Sequence, residues 1–330
     1  MRLLAGGLLF CALGQAQLPR IAAIDIYGLR KLSAARVRKV LGVSEGDTLP
    51  PSKAAVEERL EALPEVVEAR LEAVCCVDDR VILYVGIEEK EGPRFEFRYP
   101  PRGDLKLPAA IVEIYRGFVR ALEEAAGRGE TAEDLTQGYA LSADPATRAF
   151  QEKFRELAPA NLPVLRQVLR NSMYADQRAM AAYLLGYAPR ARGVIEDLQY
   201  AIRDADEGVR ANAMRALAAI AVLARSDPEL GLRVEPTWLI ELLNSIVWSD
   251  RYRAASVLVN LTEDRDPRLL QRIRERALHS LVETARWKTL AHALPAFLLV
   301  GRLAGVPEQE IYQAWERGER ESIIARVLGK

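Results

Sequence analysis

The residue types that most often carry out catalysis are sparse in this sequence and lie far apart. His279 and His292 are the only histidines, and they fall on separate predicted helices without a second ligand at metal-binding spacing. No G-x-S-x-G turn offers a nucleophile for a histidine-dependent triad. We therefore expect both histidines to be hydrogen-bonded surface residues. The sequence predicts no catalytic residue, no metal ion and no cofactor.

Glycines and cysteines give no stronger signal for chemistry. Residues 6–7 and 127–129 are rich in glycine, but neither stretch has the spacing of a phosphate-binding or dinucleotide-binding loop. Cys75 and Cys76 are adjacent, so a disulfide between them requires a strained ring. We expect two ordinary strand residues, with their oxidation state left open. The sequence therefore favours a non-enzymatic protein.

Composition argues against nucleic acid as a partner. Lysine and arginine together number 46, as do aspartate and glutamate, and no run of like charge stands out. Binding to nucleic acid through released counterions therefore has no evident source. The abundance of alanine, leucine, arginine and glutamate favours a mainly helical fold, and 330 residues are enough for more than one domain.

Residues 1–16 have the composition of a secretory signal peptide. Arg2 precedes an apolar stretch over residues 3–13, and the small residues at 14 and 16 match the positions that a signal peptidase recognises. The apolar stretch is too short to span a bilayer and no later window is a candidate, so the mature chain should lack a transmembrane segment. We predict cleavage after Ala16 and a periplasmic location. A buried N-terminal helix is the alternative.

Residues 18–92 follow the order strand, helix, helix, strand, strand. An isoleucine-rich run ends at Gly28, Ser33 caps a first helical pattern, and Pro51 marks the start of a second. Alternating apolar residues then predict two strands joined by a turn at 78–79. The segment is therefore expected to be a small α+β domain.

This β-α-α-β-β order resembles the POTRA domain of polypeptide-transport-associated proteins. The resemblance depends on Ile-Asp-Ile-Tyr-Gly at 24–28, Gly-Asp at 46–47 and Leu-Pro-Glu-Val at 63–66. It implies a periplasmic domain that binds extended protein segments along the edge of its sheet. A small α+β domain of another family is the alternative that remains open.

The middle of the chain contains a break and then a helical region. Prolines and glycine interrupt residues 93–107, which we expect to be a protease-sensitive linker. Helical periodicity resumes at Pro108 and includes several aromatic residues, among them Phe118 and Phe154. A free spacer would carry fewer aromatics, so residues 108–159 are expected to form a helical cap on the domain that follows.

The last half of the chain contains an internal repeat. Arg178 aligns with Arg210 and Arg251 at intervals of 32 and 41 residues, and the longer interval contains a proline-containing loop at 226–236. Alanine recurs three positions after each arginine, and leucine seven positions after it. Each aligned segment follows another amphipathic helix, so residues 160–330 are expected to be a stack of helix pairs.

The repeated segments resemble HEAT repeats, and Asp-Glu-Gly-Val-Arg at 206–210 is the best match. HEAT-like proteins of the phycobilisome-lyase type share this pattern, whereas most members of the family are scaffolds. The resemblance implies an α-α superhelical solenoid that binds a protein or an extended peptide. A lyase-like role in cofactor attachment is the alternative. We expect the aligned arginines to pair with carboxylates and carbonyl groups of neighbouring repeats rather than to bind a ligand.

The second helix of each pair should line the concave face of such a stack. Positions two, five and nine after each aligned arginine share one helical face, opposite the alanines and leucines of the core. We expect this stripe to be exposed and to bind the partner. Its candidate residues are Met180, Tyr183, Tyr187, Asn212, Arg215, Arg253, Ser256 and Asn260.

The four tryptophans are a second place to look for a partner site. Tryptophan is frequent among the residues that dominate binding energy, but at helical spacing it more often fills the core between repeats. We expect the core position for Trp238, Trp248, Trp287 and Trp315.

Together these patterns predict a mainly α protein, in which a HEAT-like solenoid follows a small POTRA-like α+β domain. The predicted function is an exported, non-enzymatic protein-binding scaffold in cell-envelope assembly. It would act through the concave face of the solenoid and the edge of the POTRA-like sheet.

Overall fold

A computed structural model describes residues 18–77 and 80–329, without the side chains at 76 and 77. The predicted signal peptide therefore lies outside the described residues, as does the side chain of Cys76. Within the two described ranges, no helix is both long enough and apolar enough to cross a bilayer.

The N-terminal domain has the predicted order of elements. They are β1 (Ile21–Tyr27), α1 (Ala34–Leu41), α2 (Lys53–Glu61), β2 (Val66–Val77) and β3 (Arg80–Glu89). β3 lies in the middle of the sheet, parallel to β1 and antiparallel to β2. Ser33 and Ser52 accept hydrogen bonds from backbone N–H groups in the first turns of α1 and α2, which fixes where these helices begin.

The sheet of this domain is covered on both faces. One face packs against α1 and α2, where Val37 and Val85 are fully buried. The other face carries Tyr27 and Tyr84, which pack against Trp287 from the C-terminal half of the chain. A strand buried on both faces is apolar along nearly its whole length, and β3 has this character.

The hairpin end of β2 carries one of the two adjacent cysteines in an exposed position. Cys75 lies in the strand, as expected. It is disulfide-bonded, an oxidation state that the sequence leaves open.

Residues 109–160 form a helical layer at the N-terminal end of the repeats. Its elements are α3 (Ala109–Gly127), β4 (Glu133–Asp134), β5 (Leu141–Ser142) and α4 (Pro145–Ala160). Phe118 and Phe154 pack with their ring centroids 4.7 and 6.0 Å from that of Tyr183 in the first helix pair. Aromatic contacts therefore fix this layer to the first pair.

Five helix pairs follow in the chain. They are α5 (Leu162–Asn171) with α6 (Ala175–Leu185), α7 (Arg192–Ala201) with α8 (Glu207–Ser226), α9 (Thr237–Leu242) with α10 (Trp248–Leu261), α11 (Pro267–Ala285) with α12 (Leu290–Leu303), and α13 (Glu308–Glu316) with α14 (Arg320–Val327). The second helices of successive pairs lie closer together than the first helices do. The second helices therefore form the inner, concave side of the stack, as the sequence predicts.

The segment at 93–107 is not a free linker. The N–H of Arg98 donates to the carbonyl of Arg203 at 2.8 Å, and the N–H of Gly103 donates to that of Asn171 at 2.9 Å. The hydroxyl of Ser172 donates to a carbonyl of the same segment at 2.6 Å. The segment packs along the solenoid because the turns of the helix pairs supply partners for its backbone, and its sensitivity to proteases stays a prediction.

The N-terminal sheet docks on the turn between α9 and α10. The hydroxyl of Tyr27 donates to the carbonyl of Ile246 at 2.8 Å. Gly86 of β3 lies directly against the same residue, since a Cβ at this position would be 2.1 Å from the carbonyl oxygen of Ile246. A glycine at this point of β3 is therefore what allows the close approach of the two backbones.

We expect Gly86→Ala to loosen the contact between the N-terminal sheet and the repeats while each part stays folded. The added methyl group overlaps the carbonyl of Ile246, and overpacking of this kind costs about 1–3 kcal/mol. Limited trypsin digestion checks the prediction, because Arg94, Arg98 and Arg102 should then be cleaved roughly tenfold faster.

The matched control is Gly127→Ala, since a Cβ there meets nothing within 4 Å. Cleavage of Gly86→Ala at the wild-type rate would contradict the close approach.

Candidate protein-interaction surfaces

Three buried arginines connect neighbouring helix pairs as the steps of a ladder. Arg178, Arg210 and Arg251 are each 1% exposed. Arg178 donates two hydrogen bonds of 2.8 Å to Asp204 of the next pair. Arg210 likewise donates two of 2.8 Å to Asp250 of the pair after that. A planar guanidinium matches a carboxylate in this two-bond geometry, and this is the pairing that the sequence predicts.

Each arginine also binds the turn within its own helix pair. Arg210 donates from Nη1 to the carbonyl oxygens of Asp204 and Ala205, both at 2.9 Å. Arg178 does the same with Ser172 and Met173. Carbonyl groups near helix ends lack partners within the helix, so these bonds satisfy them. The arginines therefore stabilise the stack and are not a ligand site.

The third step of the ladder reaches the N-terminal domain. Arg251 donates to Glu283 of α11 at 3.0 Å. The same carboxylate accepts hydrogen bonds from the N–H groups of Gly28 and Leu29, both at 3.0 Å. Burial alone would raise the pKa of Glu283, but the hydrogen bond from His279 and the charge of Arg251 lower it to about 2. Glu283 is therefore ionised in the folded protein.

A side-chain acceptor also closes the turn inside each of the first three pairs. The backbone N–H of Tyr174 donates to the hydroxyl of Ser172, and that of Val247 donates to the hydroxyl of Ser245. In the second pair, the N–H of Asp206 donates to the carboxylate of Asp204. In the fourth pair the N-cap residue is Thr289, and Trp287 two positions before it has no acceptor atom, so the turn lacks this closure. Asp25 of β1 accepts from the N–H of Lys288 instead, at 3.0 and 3.1 Å. Burial raises the pKa of Asp25 to about 6.

An aromatic cluster fills the rest of the contact between the two domains. The ring of Tyr84 stacks on Trp248 and tilts against Trp287, each at a centroid distance of 4.9 Å. His292 Nδ1 lies 2.6 Å from the hydroxyl oxygen of Tyr84. Burial first, and the charge of Arg253 second, lower the pKa of His292 to about 4, so the ring is neutral near pH 7. His292 is hydrogen-bonded, as expected, but its ring lies within this cluster and is only partly exposed.

The other histidine is where the sequence predicts it. His279 is exposed, and its Nε2 lies 2.8 Å from the carbonyl oxygen of Leu29. Within residues 18–77 and 80–329, no three His, Cys, Asp or Glu side chains converge on a possible metal position.

The predicted concave stripe is buried in the first helix pair. Met180, Tyr183 and Tyr187 are 8%, 6% and 1% exposed, so their expected exposure is wrong. α3 and α4 fold across this part of the concave side, and Phe118 and Phe154 cover the ring of Tyr183. These side chains are core residues of the cap and present no free surface.

In the second pair, the side chains of the predicted concave stripe also make contacts within the fold. Asn212 donates from Nδ2 to the carbonyl of Ala179 at 2.9 Å. Arg215 forms an ion pair with Glu133 of β4 and donates to the carbonyl of Ala140 at 2.6 Å. Arg215 therefore holds the β4–β5 hairpin in place, and its side chain is 11% exposed.

The stripe reaches solvent in the third pair. Arg253, Ser256 and Asn260 of α10 are all partly exposed. The hydroxyl of Ser256 donates to the carbonyl of Tyr252 within the same helix, at 2.8 Å. Of the candidate residues, these three are the ones that lie beyond the cap and face the open part of the concave side.

Both edges of the N-terminal sheet are partly occupied. On β2, the N–H of Ala69 donates to Glu61 of α2 at 3.1 Å. The N–H of Leu71 donates to Glu57 of the same helix at 2.7 Å. On β1, the loop at 44–49 hydrogen-bonds with the start of the strand. An incoming strand would need these backbone groups, so the sheet offers it few free donors.

Trp238 borders a groove that the sequence did not single out. The groove has a volume of about 730 Å³ and lies between residues 94–96 and the helices α9 and α11. Trp238 is 39% exposed, so its expected core position is wrong. Leu239 and Ile240 fill the buried face of α9 and leave Trp238 at its rim. The apolar residues at 239, 240 and 242 mark the buried face of the helix, and this pattern is the sequence signal that Trp238 lies at the edge of that face.

Comparison with known proteins supports the repeat architecture. A family model described as HEAT repeats matches residues 162–230, which cover the first two helix pairs. No curated protein matches the chain. Together with the stacked helix pairs and the arginine ladder, this match defines the C-terminal part as a HEAT-like solenoid, an architecture that commonly serves as a scaffold for protein interactions.

We expect Glu283→Gln to destabilise the protein by about 3 kcal/mol near pH 7, because Arg251 would keep a buried charge without its counterion. The folded pKa of about 2 lies below the ordinary value of 4.5. The stabilisation is therefore full above pH 4.5 and is lost as the pH falls towards 2. Urea denaturation at several pH values checks this.

The control is Glu275→Gln, an exposed position on the same helix. The stability difference between wild type and Glu283→Gln should shrink between pH 5 and pH 3. A difference that stays constant with pH would show that the charge of Glu283 does not matter.

Proposed function

We propose that the chain is an exported, non-enzymatic scaffold that binds a protein partner in the cell envelope. In this proposal the POTRA-like domain is held rigidly on the HEAT-like solenoid, and the open part of the concave face binds the partner. The match to HEAT repeats supports the interaction role, and the β-α-α-β-β order of the first domain supports the POTRA-like assignment.

The observation that carries the proposal is the uncovered section of the concave face on α10. Arg253, Ser256 and Asn260 lie there in a row, two, five and nine positions after Arg251. Guanidinium and amide groups donate and accept hydrogen bonds of the kind that a peptide backbone or a carboxylate requires. An extended polypeptide is therefore the partner that this surface suits best.

The edge of the POTRA-like sheet is a weaker second surface. Glu57 and Glu61 already accept the hydrogen bonds of Leu71 and Ala69. A partner strand would have to displace these carboxylates before it gained any hydrogen bond from that part of β2. We therefore assign the main binding role to the solenoid.

A photo-crosslinking amino acid in place of Asn260 should capture a polypeptide in the native cell. The residue lies on the concave side beyond the cap, within reach of an extended partner. The measurement is the yield of crosslinked product on a denaturing gel, followed by identification of the product by mass spectrometry.

The same probe at Gln313, an exposed position on the outer helix α13, is the matched control. Equal yields at the two positions would sink the concave-face proposal. Capture of a small pigment or cofactor instead of a polypeptide would favour the lyase-like alternative.

The mature protein should begin at Gln17 and be found in the periplasm. Signal peptidase requires a small residue at position 16, so Ala16→Leu should block processing and leave the signal attached. Mass spectrometry of the N-terminal peptide checks both statements. An intact Met1 on cytoplasmic wild-type protein would contradict export.

A further inference from the structure

The segment at 93–107 carries an almost fully exposed aromatic ring. Tyr99 is 96% exposed. The backbone on both sides of it is anchored, because the N–H of Arg98 donates to the carbonyl of Arg203 and the N–H of Gly103 donates to that of Asn171. Two prolines at 100–101 restrict the backbone between these anchors. The ring therefore protrudes from a fixed loop.

Two further apolar side chains are exposed beside this ring. Leu105 is 37% exposed, and Met173, in the turn between α5 and α6, is 50% exposed. The N–H of Met173 donates to the carbonyl of Gly103 at 2.7 Å, and the hydroxyl of Ser172 donates to that of Leu105 at 2.6 Å. The segment and the turn therefore form one continuous surface that presents apolar side chains to solvent.

Basic side chains flank these apolar residues. Arg102 and Lys106 are exposed, and neither forms a salt bridge with any residue that the structure describes. The ammonium of Lys106 lies 4.5 Å from the centre of the Tyr174 ring. Asp104 lies between the two cations in the chain and accepts a hydrogen bond from the hydroxyl of Tyr174 at 2.9 Å. This stretch therefore carries more positive than negative charge.

Arg98 and helix α5 extend the positive charge. The guanidinium groups of Arg98 and Arg170 lie 3.5 and 4.5 Å from the centre of the Tyr200 ring. Arg166 and Arg170 both pair with the carboxylate of Asp197, which is fully buried. One carboxylate cannot neutralise two guanidinium groups, and Arg98 forms no salt bridge within residues 18–77 and 80–329.

The surface stays positive when the nearby carboxylates are counted. Glu96 and Arg203 lie at its border, joined by a hydrogen bond from Arg203 to the backbone carbonyl of Glu96, and their charges cancel. Five basic residues then stand against three acidic ones, which leaves an excess of two positive charges. The basic residues are Arg98, Arg102, Lys106, Arg166 and Arg170, and the acidic residues are Asp104, Asp176 and Asp197.

We propose that this surface, formed by residues 98–106, helix α5 and the turn at 172–174, binds the protein to an anionic lipid membrane. Tyr99 enters the headgroup region, where a ring with an apolar body and a polar hydroxyl is favoured. Leu105 and Met173 add apolar area, and the basic side chains attract the lipid phosphates.

A membrane suits the shape of this surface better than a folded protein does. A soft headgroup layer accepts a protruding ring, whereas a folded partner would need a pocket of matching shape. The inference goes beyond the scaffold function, because it assigns a lipid surface to the edge of the solenoid where the turns lie. It does not depend on the concave face.

Sedimentation with lipid vesicles tests the proposal. The chain is used from Gln17 onward, so that the apolar stretch at 3–13 cannot contribute. Vesicles of phosphatidylcholine with about 30% phosphatidylglycerol should bind it roughly tenfold more tightly than vesicles of phosphatidylcholine alone. Added salt should weaken the binding to the anionic vesicles.

A substitution of the protruding ring tests its role. Tyr99→Ala should weaken the binding to the anionic vesicles about tenfold, because the ring no longer enters the headgroup region. The exposed ring contributes little to the folded core, so the variant should remain folded. The matched control is Tyr312→Ala on α13, which removes a ring that is 44% exposed and should bind like wild type.

A pair of charge substitutions tests the basic residues. Arg102→Gln combined with Lys106→Gln should weaken the binding about thirtyfold, since each basic residue contributes separately to attraction by an anionic surface. The control combines Lys39→Gln with Arg268→Gln, which removes the same charge from exposed positions on α1 and α11. The control pair should bind nearly like wild type.

Equal binding to neutral and anionic vesicles would overturn the proposal, and so would a Tyr99→Ala variant that binds like wild type. An equal loss in the two charge pairs would show that only the net charge of the chain matters. Binding to soluble polyglutamate without binding to anionic vesicles would assign the surface to an acidic protein instead. Crosslinking from Asn260 reports on the concave face alone, so either proposal can fail without the other.

Discussion

The ionised carboxylate of Glu283 is the interaction on which the arrangement of the chain depends. On one side it neutralises Arg251, a guanidinium that is almost fully buried and would be costly without a counterion. On the other side it accepts the N–H groups of Gly28 and Leu29, where the backbone turns away from β1 at a φ of 84°. One side chain therefore completes the repeat ladder and fixes the N-terminal domain. Neither contact can be removed without leaving a buried charge or a buried N–H group unsatisfied.

The turns of the helix pairs help to explain why the N-terminal domain contacts the fourth pair as well as the third. In the first three pairs the turn carries its own acceptor, which is Ser172, Asp204 or Ser245. The fourth turn has no such acceptor, and Asp25 of β1 accepts a hydrogen bond there from the N–H of Lys288. A solenoid is stabilised by contacts between neighbours, so a repeat with an incomplete turn needs a substitute from elsewhere. The small domain provides that substitute, and Tyr27, Tyr84 and Gly86 bury the surface around it.

Sequence reasoning succeeded where a feature repeats along the chain and failed where it depends on a distant segment. Arg178 and Arg210 recur at a fixed distance from alanine and leucine, so their pairing was predictable. The burial of Tyr183 was not, because Phe118 and Phe154 reach it from a cap that no repeat describes. The sequence does contain a signal that the second face of the N-terminal sheet is covered. β3 is apolar at nearly every position, which is typical of a strand that is covered on both sides.

These contacts also decide where a partner can bind. The N-terminal sheet has one face on its own helices and the other on the solenoid. Along β2, Glu57 and Glu61 occupy backbone donors that an added strand would need. In the function that we propose, the domain therefore stabilises the arrangement of the chain, and the partner binds to surfaces of the solenoid. The groove beside Trp238 exists only while the segment at 93–107 lies along the turns, because Phe95 and Glu96 form one of its walls. Docking of the first domain thus helps to shape the outer surface of the second.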